Sequence, residues 1–348
     1  LPGARLIDRG AGTDEFVSAR NEAATPGDKA LQNGLRLGLG ITRELSNGTE
    51  LIVDGGLRKK DQDSFIKDNT GGGFNQTVDT ELTTWSLTPR ANLEWLLIGQ
   101  DHQSVVGVDL YYADYDSDRS RNRNEAPVHR YLAHQTTFGL YGQDNFKLSD
   151  VLIAQVGGRF IWNKFSGGDE FNPNAPGAIG FVGKRETTGA IEQHYLYNIG
   201  LEYEMAQNLT AFGRTGRSVR LPTINERIAS SDGSTFKLKT QISRDVELGL
   251  RYQTKKLALQ GSAFIMKLKN ELRFDPTLGG GFGLNENSAP TRRIGSEMAA
   301  GYEITNNLKL QLNVAFIDAK FLSPSRRTNR RGDRRAELCG SPGLPQRQ

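Results

Sequence analysis

Apolar and polar residues alternate strictly along most of the chain. In "RDVELGLRY", Val246, Leu248, Leu250 and Tyr252 fall on one side, and Asp245, Glu247, Gly249 and Arg251 on the other. In "YLYNIGLEYE", Tyr195, Tyr197, Ile199, Leu201 and Tyr203 oppose Asn198, Gly200, Glu202 and Glu204. "VLIAQVGGRFIW", "SVVGVDLYYAD", "LKLQLNVAF" and "LRLGLGI" repeat the habit. A period of two is the signature of a strand with two unlike faces. The stretch 257–274 alternates less cleanly.

The connectors carry a second pattern. Short turns fall at 46–48, near Gly99, and at 148–150, 206–208, 254–256 and 305–307. Long polar stretches at roughly 67–79, 117–131, 166–190, 220–238 and 275–291 alternate with them. About 12 strands result, with tight turns at one end and long loops at the other, which is the plan of an outer-membrane barrel. Trp85, Trp95, Tyr111, Tyr112, Trp162, Tyr195, Tyr252 and Tyr302 cluster near strand ends, where a barrel carries its aromatic girdles. The turn-to-turn spacing of about 50 residues also suits a kelch-type propeller, but a propeller blade divides that length into four short strands. A passive porin of about 12 strands, an even number that can close, is the other membrane reading.

Composition narrows this little. Mean hydropathy is −0.53, and no apolar run is long enough for a transmembrane helix, which leaves a strand-built membrane protein open. The net charge of +4 is interspersed except in the arginine-rich last stretch, so no stripe marks a nucleic-acid partner. The single cysteine, Cys339, excludes a disulfide framework.

One segment needs a special explanation. "TAFGRTGRSVRLPTINERI" begins as a strand, then sets Arg214, Arg217 and Arg220 three apart and stops at Pro222. Proline gives a sheet no donor, so it belongs at or beyond the membrane rim. Arginine is tolerated at that level on either face.

"FGRTGRSVRLPTINE" resembles the signature of TonB-dependent outer-membrane receptors, matching it at Gly213, Arg217, Arg220, Pro222, Asn225 and Glu226. "LKTQISRDVELGLRYQ" and "KLQLNVAFIDAKF" are similar to later strands of that family, and the resemblance covers roughly residues 30–322. It implies an all-β, antiparallel transmembrane β-barrel, here partial at about 12 of an expected 22 strands, without the plug domain. It further implies no enzymatic activity, TonB-energised uptake of a ferric siderophore, haem or similar scarce nutrient, and residence in a Gram-negative outer membrane. The partners implied are outer-membrane lipid and lipopolysaccharide, a small iron complex, and the TonB complex through segments not present here. Residues 1–322 then form the partial barrel. Residues 323–348 form a basic tail whose composition fits either a frameshift or a natural extension.

Ligand contacts are expected on the rim and long loops, at Arg217, Arg220, Asn225 and Glu226. His129 and His194 are the histidines best placed to meet a haem. Asp114, Asp116 and Asp118 sit at calcium-loop spacing, but Arg119 occupies the position that needs glycine, so an Arg-neutralised acidic rim is the better reading. The glycine runs at 71–74 and 279–287 lack the strand-to-helix context of a phosphate loop. No Ser-His-Asp or paired-carboxylate arrangement supports catalysis.

Overall fold

The computed structural model describes residues 27–45, 48–67, 75–178, 187–228, 237–278 and 283–322. Ten strands follow one another in a meander: β1 (Lys29–Glu44), β2 (Glu50–Ile66), β3 (Gln76–Leu97), β4 (Gln100–Ser120), β5 (His129–Ser149), β6 (Leu152–Phe171), β7 (Thr187–Ala206), β8 (Leu209–Arg220), β9 (Gln241–Gln253) and β10 (Leu257–Lys269). A small hairpin, β11 (Leu272–Asp275) and β12 (Leu284–Asn287), stands apart, and β13 (Thr291–Thr305) and β14 (Leu308–Phe321) resume the meander. The main sheet has 12 antiparallel strands in chain order, with β10 joined directly to β13. A single sheet of long strands is not a set of four-stranded blades, and the propeller reading falls.

The alternating sequence fixes the register. Leu37 lies opposite Leu57, Leu57 opposite Trp85, and Trp85 opposite Tyr112, so one apolar row crosses four strands. Slipping any strand by one residue would move its apolar set to the other face. Exposure is inverted relative to a water-soluble sheet. Leu248 is 65% exposed, while the side chain of its neighbour Glu247 is 15% exposed. The apolar face is the outward one. The inward face is polar and covered by its own pairings, among them Arg90–Asp54 at 2.7 Å, Arg159–Asp109 at 2.5 Å and Arg214–Glu247 at 2.6 Å.

The height of the apolar band can be measured along β3. Trp85 and Trp95 share the outward face ten residues apart, about 33 Å along the strand and about 25 Å along a barrel axis at a tilt of about 40°. That is the height of the lipid-facing band in outer-membrane barrels. Pro89 lies inside this band, against the expectation that proline keeps to the rim; the β3–β4 pairing skips it between Leu87 and Arg90, so its missing donor falls at a break in the ladder. Tyr111 is the exception among the expected girdle residues. It lies opposite Thr137 in the parity opposite to Tyr112, and so faces inward.

Two boundaries differ from the sequence expectation. Several long connectors are partly strand, because the strands continue past the apolar band; β3 alone has 22 residues. The irregular stretch 257–274 is two elements. Asn270 takes a positive φ of 54° and turns the chain out of the main sheet between β10 and β11. The glycine run at 71–74 and the tail 323–348 lie outside the described residues.

Glycine admits close packing on the inward face. A Cβ on Gly249 would stand 2.3 Å from the Phe212 ring and 2.7 Å from the Gly261 carbonyl. The phenyl ring therefore reaches over Gly249 on the neighbouring strand, as aromatic residues do over sheet glycines.

Candidate functional site at the long-loop rim

The three arginines at spacing three resolve by strand parity. Arg214 lies opposite Glu247 and faces inward. Arg217 lies opposite Tyr197 and Arg244, with Thr215 and Val246 in the same parity, and faces outward. Arg220 lies opposite Gln241 and faces inward again. Arg217 is thus turned toward the membrane rim, where its guanidinium donates to the Tyr195 carbonyl.

Past Arg220 the chain turns onto the inner face as a single helical turn, α1 (Ile224–Arg227). Its start is set by sequence. Thr223 is the N-cap and Glu226 stands three positions on, and both reciprocal bonds of a capping box form. Arg220 closes on Glu226 at 2.5 Å. Burial raises the Glu226 pKa, but the Thr223 backbone and Arg220 bonds outweigh it and leave the carboxyl below its usual value. Asn225 is exposed on the helix surface.

The other side of α1 is a small core. Ile224 and Ile228 are buried against Tyr115, Tyr131, Ala133 and Phe165, with Leu82 and Ala113 around them. Arg227 is 1% exposed, with its guanidinium 4.8 Å from the Phe165 ring and bonded to Glu192 at 2.9 Å. The second Glu192 oxygen accepts the Thr240 hydroxyl at 2.7 Å. Arg119 donates to the Ile228 carbonyl at 3.2 Å, and Asn285 to the Glu226 carbonyl at 3.3 Å. Four residues of loop thereby tie together β4, β7, the exit of β8, the entry of β9 and β12.

Ile224, Arg227, Ile228, Glu192 and Thr240 were not expected from sequence. The signal that could have found the helix was the Thr-x-x-Glu spacing itself. Glu192 and Thr240 had none, because their meeting depends on the fold.

The histidines sit differently. His129 is buried on the inward face, where Asp169 holds its Nδ1 at 2.9 and 3.0 Å and Tyr131 stacks on its ring. His194 faces inward from β7 and is half-buried. Asp114, Asp116 and Asp118 share the outward face above the apolar band. Asp114 meets His134 at 2.9 Å, and Arg130 meets Asp116 at 2.8 Å and Asp118 at 3.7 Å. Among the described residues no group of three or more His, Cys, Asp or Glu side chains is arranged to hold a metal ion.

A meander of long tilted strands with an exposed apolar outside and a charge-paired inside is the wall of a transmembrane β-barrel. The family model described as TonB dependent receptor-like, beta-barrel, matches residues 4–337, and the chain belongs to that family. The fold is also that of solved receptors. The ferric yersiniabactin uptake receptor FyuA from Yersinia pestis shares 14% identity at a TM-score of 0.65 over 87% of this chain and 45% of its own. The ferric citrate transporter FecA shares 14% at 0.69, over 88% and 46%. The copper transporter OprC shares 16% at 0.69, over 87% and 49%. The chain spans less than half the length of each. No curated protein matches it. These neighbours are receptors and transporters rather than enzymes, and the family is one of Gram-negative outer-membrane proteins.

Proposed function

We propose that the chain forms roughly half the wall of an outer-membrane receptor that imports a ferric siderophore, or a chemically similar scarce nutrient, with energy delivered through TonB. The observation that carries this reading is the family match combined with an outward apolar face and an inward charged one. The named cargoes of FyuA, FecA and OprC support metal complexes as the substrate class. Ligand contacts from this part of the wall fall to inward-facing rim residues. Arg220 is the foremost, followed by exposed Asn225 and half-buried His194, while Arg217 serves the membrane side and lipopolysaccharide. The test is growth under iron limitation. A receptor carrying this chain, placed in a strain without its own siderophore receptors, should restore growth on at least one ferric siderophore of a panel. That growth should vanish when tonB is deleted. Growth that survives the deletion would point to passive diffusion and refute the proposal.

A further inference from the structure

The turn between β3 and β4 differs from the turns of β7 onward at the same end of the sheet. Ile98 and Gly99 form a two-residue connection closed by the Leu97–Gln100 pair, with φ values of 54° and 76°. Two positive φ values mark the type I′ hairpin turn, which favours Asn then Gly and disfavours a β-branched side chain. The other non-glycine residues with positive φ, among those described, are Asn124, Asn208 and Asn270. Ile98 stands where asparagine would be relaxed, and it is 93% exposed, with Leu96 and Leu97 exposed beside it. The β7–β8, β9–β10 and β13–β14 turns instead carry Gln207-Asn208, Thr254-Lys255-Lys256 and Asn306-Asn307.

A second observation lies just inside the turn. His102, Ser104 and Asp144 have the outward parity, in line with Val106 and Leu140. Asp144 bonds His102 Nδ1 at 2.6 Å and accepts the Ser104 hydroxyl at 2.7 Å, and Trp95 Nε1 donates to Ser104 Oγ at 2.8 Å. The His102 imidazole lies between the rings of Trp95 at 4.6 Å and Phe146 at 5.0 Å. His102 and Ser104 are buried. Polar groups facing water need no such closure; facing hydrocarbon, each must find its partner within the protein.

We infer that the β3–β4 turn is immersed in the bilayer and that lipid here extends beyond the Trp85–Trp95 span, so that acyl chains of the leaflet at the short-turn end reach past Trp95 to Ile98. The turns from β7 onward end in water. The lipid-facing stripe of β3 continues without a polar member through Trp85, Leu87, Pro89, Ala91, Leu93, Trp95 and Leu97 into the turn. Glu94 and Asp101, the nearest charges on the two strands, have the inward parity. An apolar residue kept at a strained backbone position, and His102 and Ser104 closed under aromatic rings with Asp144 as their shared partner, are both what an immersed turn requires. The inference rests on the transmembrane-barrel reading.

The test places an environment-sensitive fluorophore at single cysteines in a Cys339→Ser background: Ile98→Cys at this turn, Lys255→Cys at the β9–β10 turn and Leu248→Cys in the apolar band. The protein is assembled in phospholipid nanodiscs, which leave both rims open to solvent. Nitroxide-bearing acyl chains should quench the labels at positions 248 and 98, and aqueous iodide the label at 255, with a several-fold contrast. If iodide reaches position 98 as it does 255 while 248 stays with lipid, the turn lies in water and the inference fails, with the barrel intact. If neither quencher reaches 98, protein covers the turn and the inference fails too. If iodide reaches 248, the barrel reading fails and takes the inference with it. Ile98→Asn gives an independent sign. It relaxes the turn, so in water it would raise the urea midpoint of the assembled protein; immersed, it should lower it, and a rise overturns the inference.

Discussion

Leu248→Arg tests the assignment of faces most directly. Leu248 sits on the outward face between Gly213 and Ala263, four residues from Tyr252 at the short-turn end of the same strand. At about 3.3 Å per residue and a tilt of about 40°, that is about 10 Å into a band of about 25 Å, close to the midplane. An arginine facing lipid there costs about 2–4 kcal/mol, which is about a 30- to 900-fold shift in the folding equilibrium. Glu247→Gln is the matched change on the other face. It weakens the 2.6 Å contact to Arg214, whose side chain is 61% exposed. Glu247 itself is covered, but its partner is open to water, which screens the pair to about 1 kcal/mol or less. The assay is urea unfolding of the assembled receptor in lipid vesicles, followed by tryptophan fluorescence, with heat-modifiable gel migration as the check on assembly. Leu248→Arg should lower stability by at least about 2 kcal/mol or prevent assembly, and Glu247→Gln by no more than about 1. Equal losses from both would refute the reading of which face meets lipid.

The rim supplies three further tests. Ile228→Ala removes a fully buried side chain from the α1 core. It should cost about 2–5 kcal/mol locally, seen as faster amide exchange across residues 223–228 with little change in the sheet. Glu226 has a depressed pKa in the folded protein, so its contribution is complete above the unfolded carboxylate value of about 4.3 and fades as pH falls through the lower folded value. Amide exchange at α1, corrected for its intrinsic pH dependence, should therefore rise in strongly acid solution, and Glu226→Gln should show the loosened state at every pH. Arg220→Ala should weaken binding of an anionic ferric complex by about tenfold, the loss of one charge-assisted hydrogen bond. Arg217→Ala, on the outer face, should leave the measured Kd unchanged, and the opposite ranking would displace the inner-wall site.

The architecture was legible because the period of two is local. Each residue from Val246 to Tyr252 announces its own face, and the six short turns announce the pairing order without reference to distant parts of the chain. The height of the girdles, read from Trp85 and Trp95, is likewise a matter of counting. What the sequence withheld is whatever depends on where a loop lands. The Arg-x-x-Arg motif could be quoted, yet its two arginines lie on opposite faces, which follows only once the strand is known to continue to Arg220. The proline that ends β8 was visible, but not that Ile224 and Ile228 return to cover Tyr131 and Phe165. His129 lies near a loop in sequence and is buried against Asp169, Tyr131 and Phe171 in space, so nearness to a long connector was a poor guide to exposure. Tyr111 and Tyr112 read as one girdle feature until parity separated them.

Every strand of the main sheet bonds only to its predecessor and its successor in the chain, with the β11–β12 hairpin left out of the ladder. Such a wall has a unit of editing. Removing two strands and the loop between them brings forward a strand that already runs in the right direction and leaves inside residues inside. Removing one strand would set two parallel strands against each other with only a tight turn between them, a connection that parallel strands cannot use. The coding sequence for this wall can therefore lengthen or shorten in steps of a hairpin, and the loop hairpin can be trimmed from between β10 and β13 without disturbing a single bond between its neighbours.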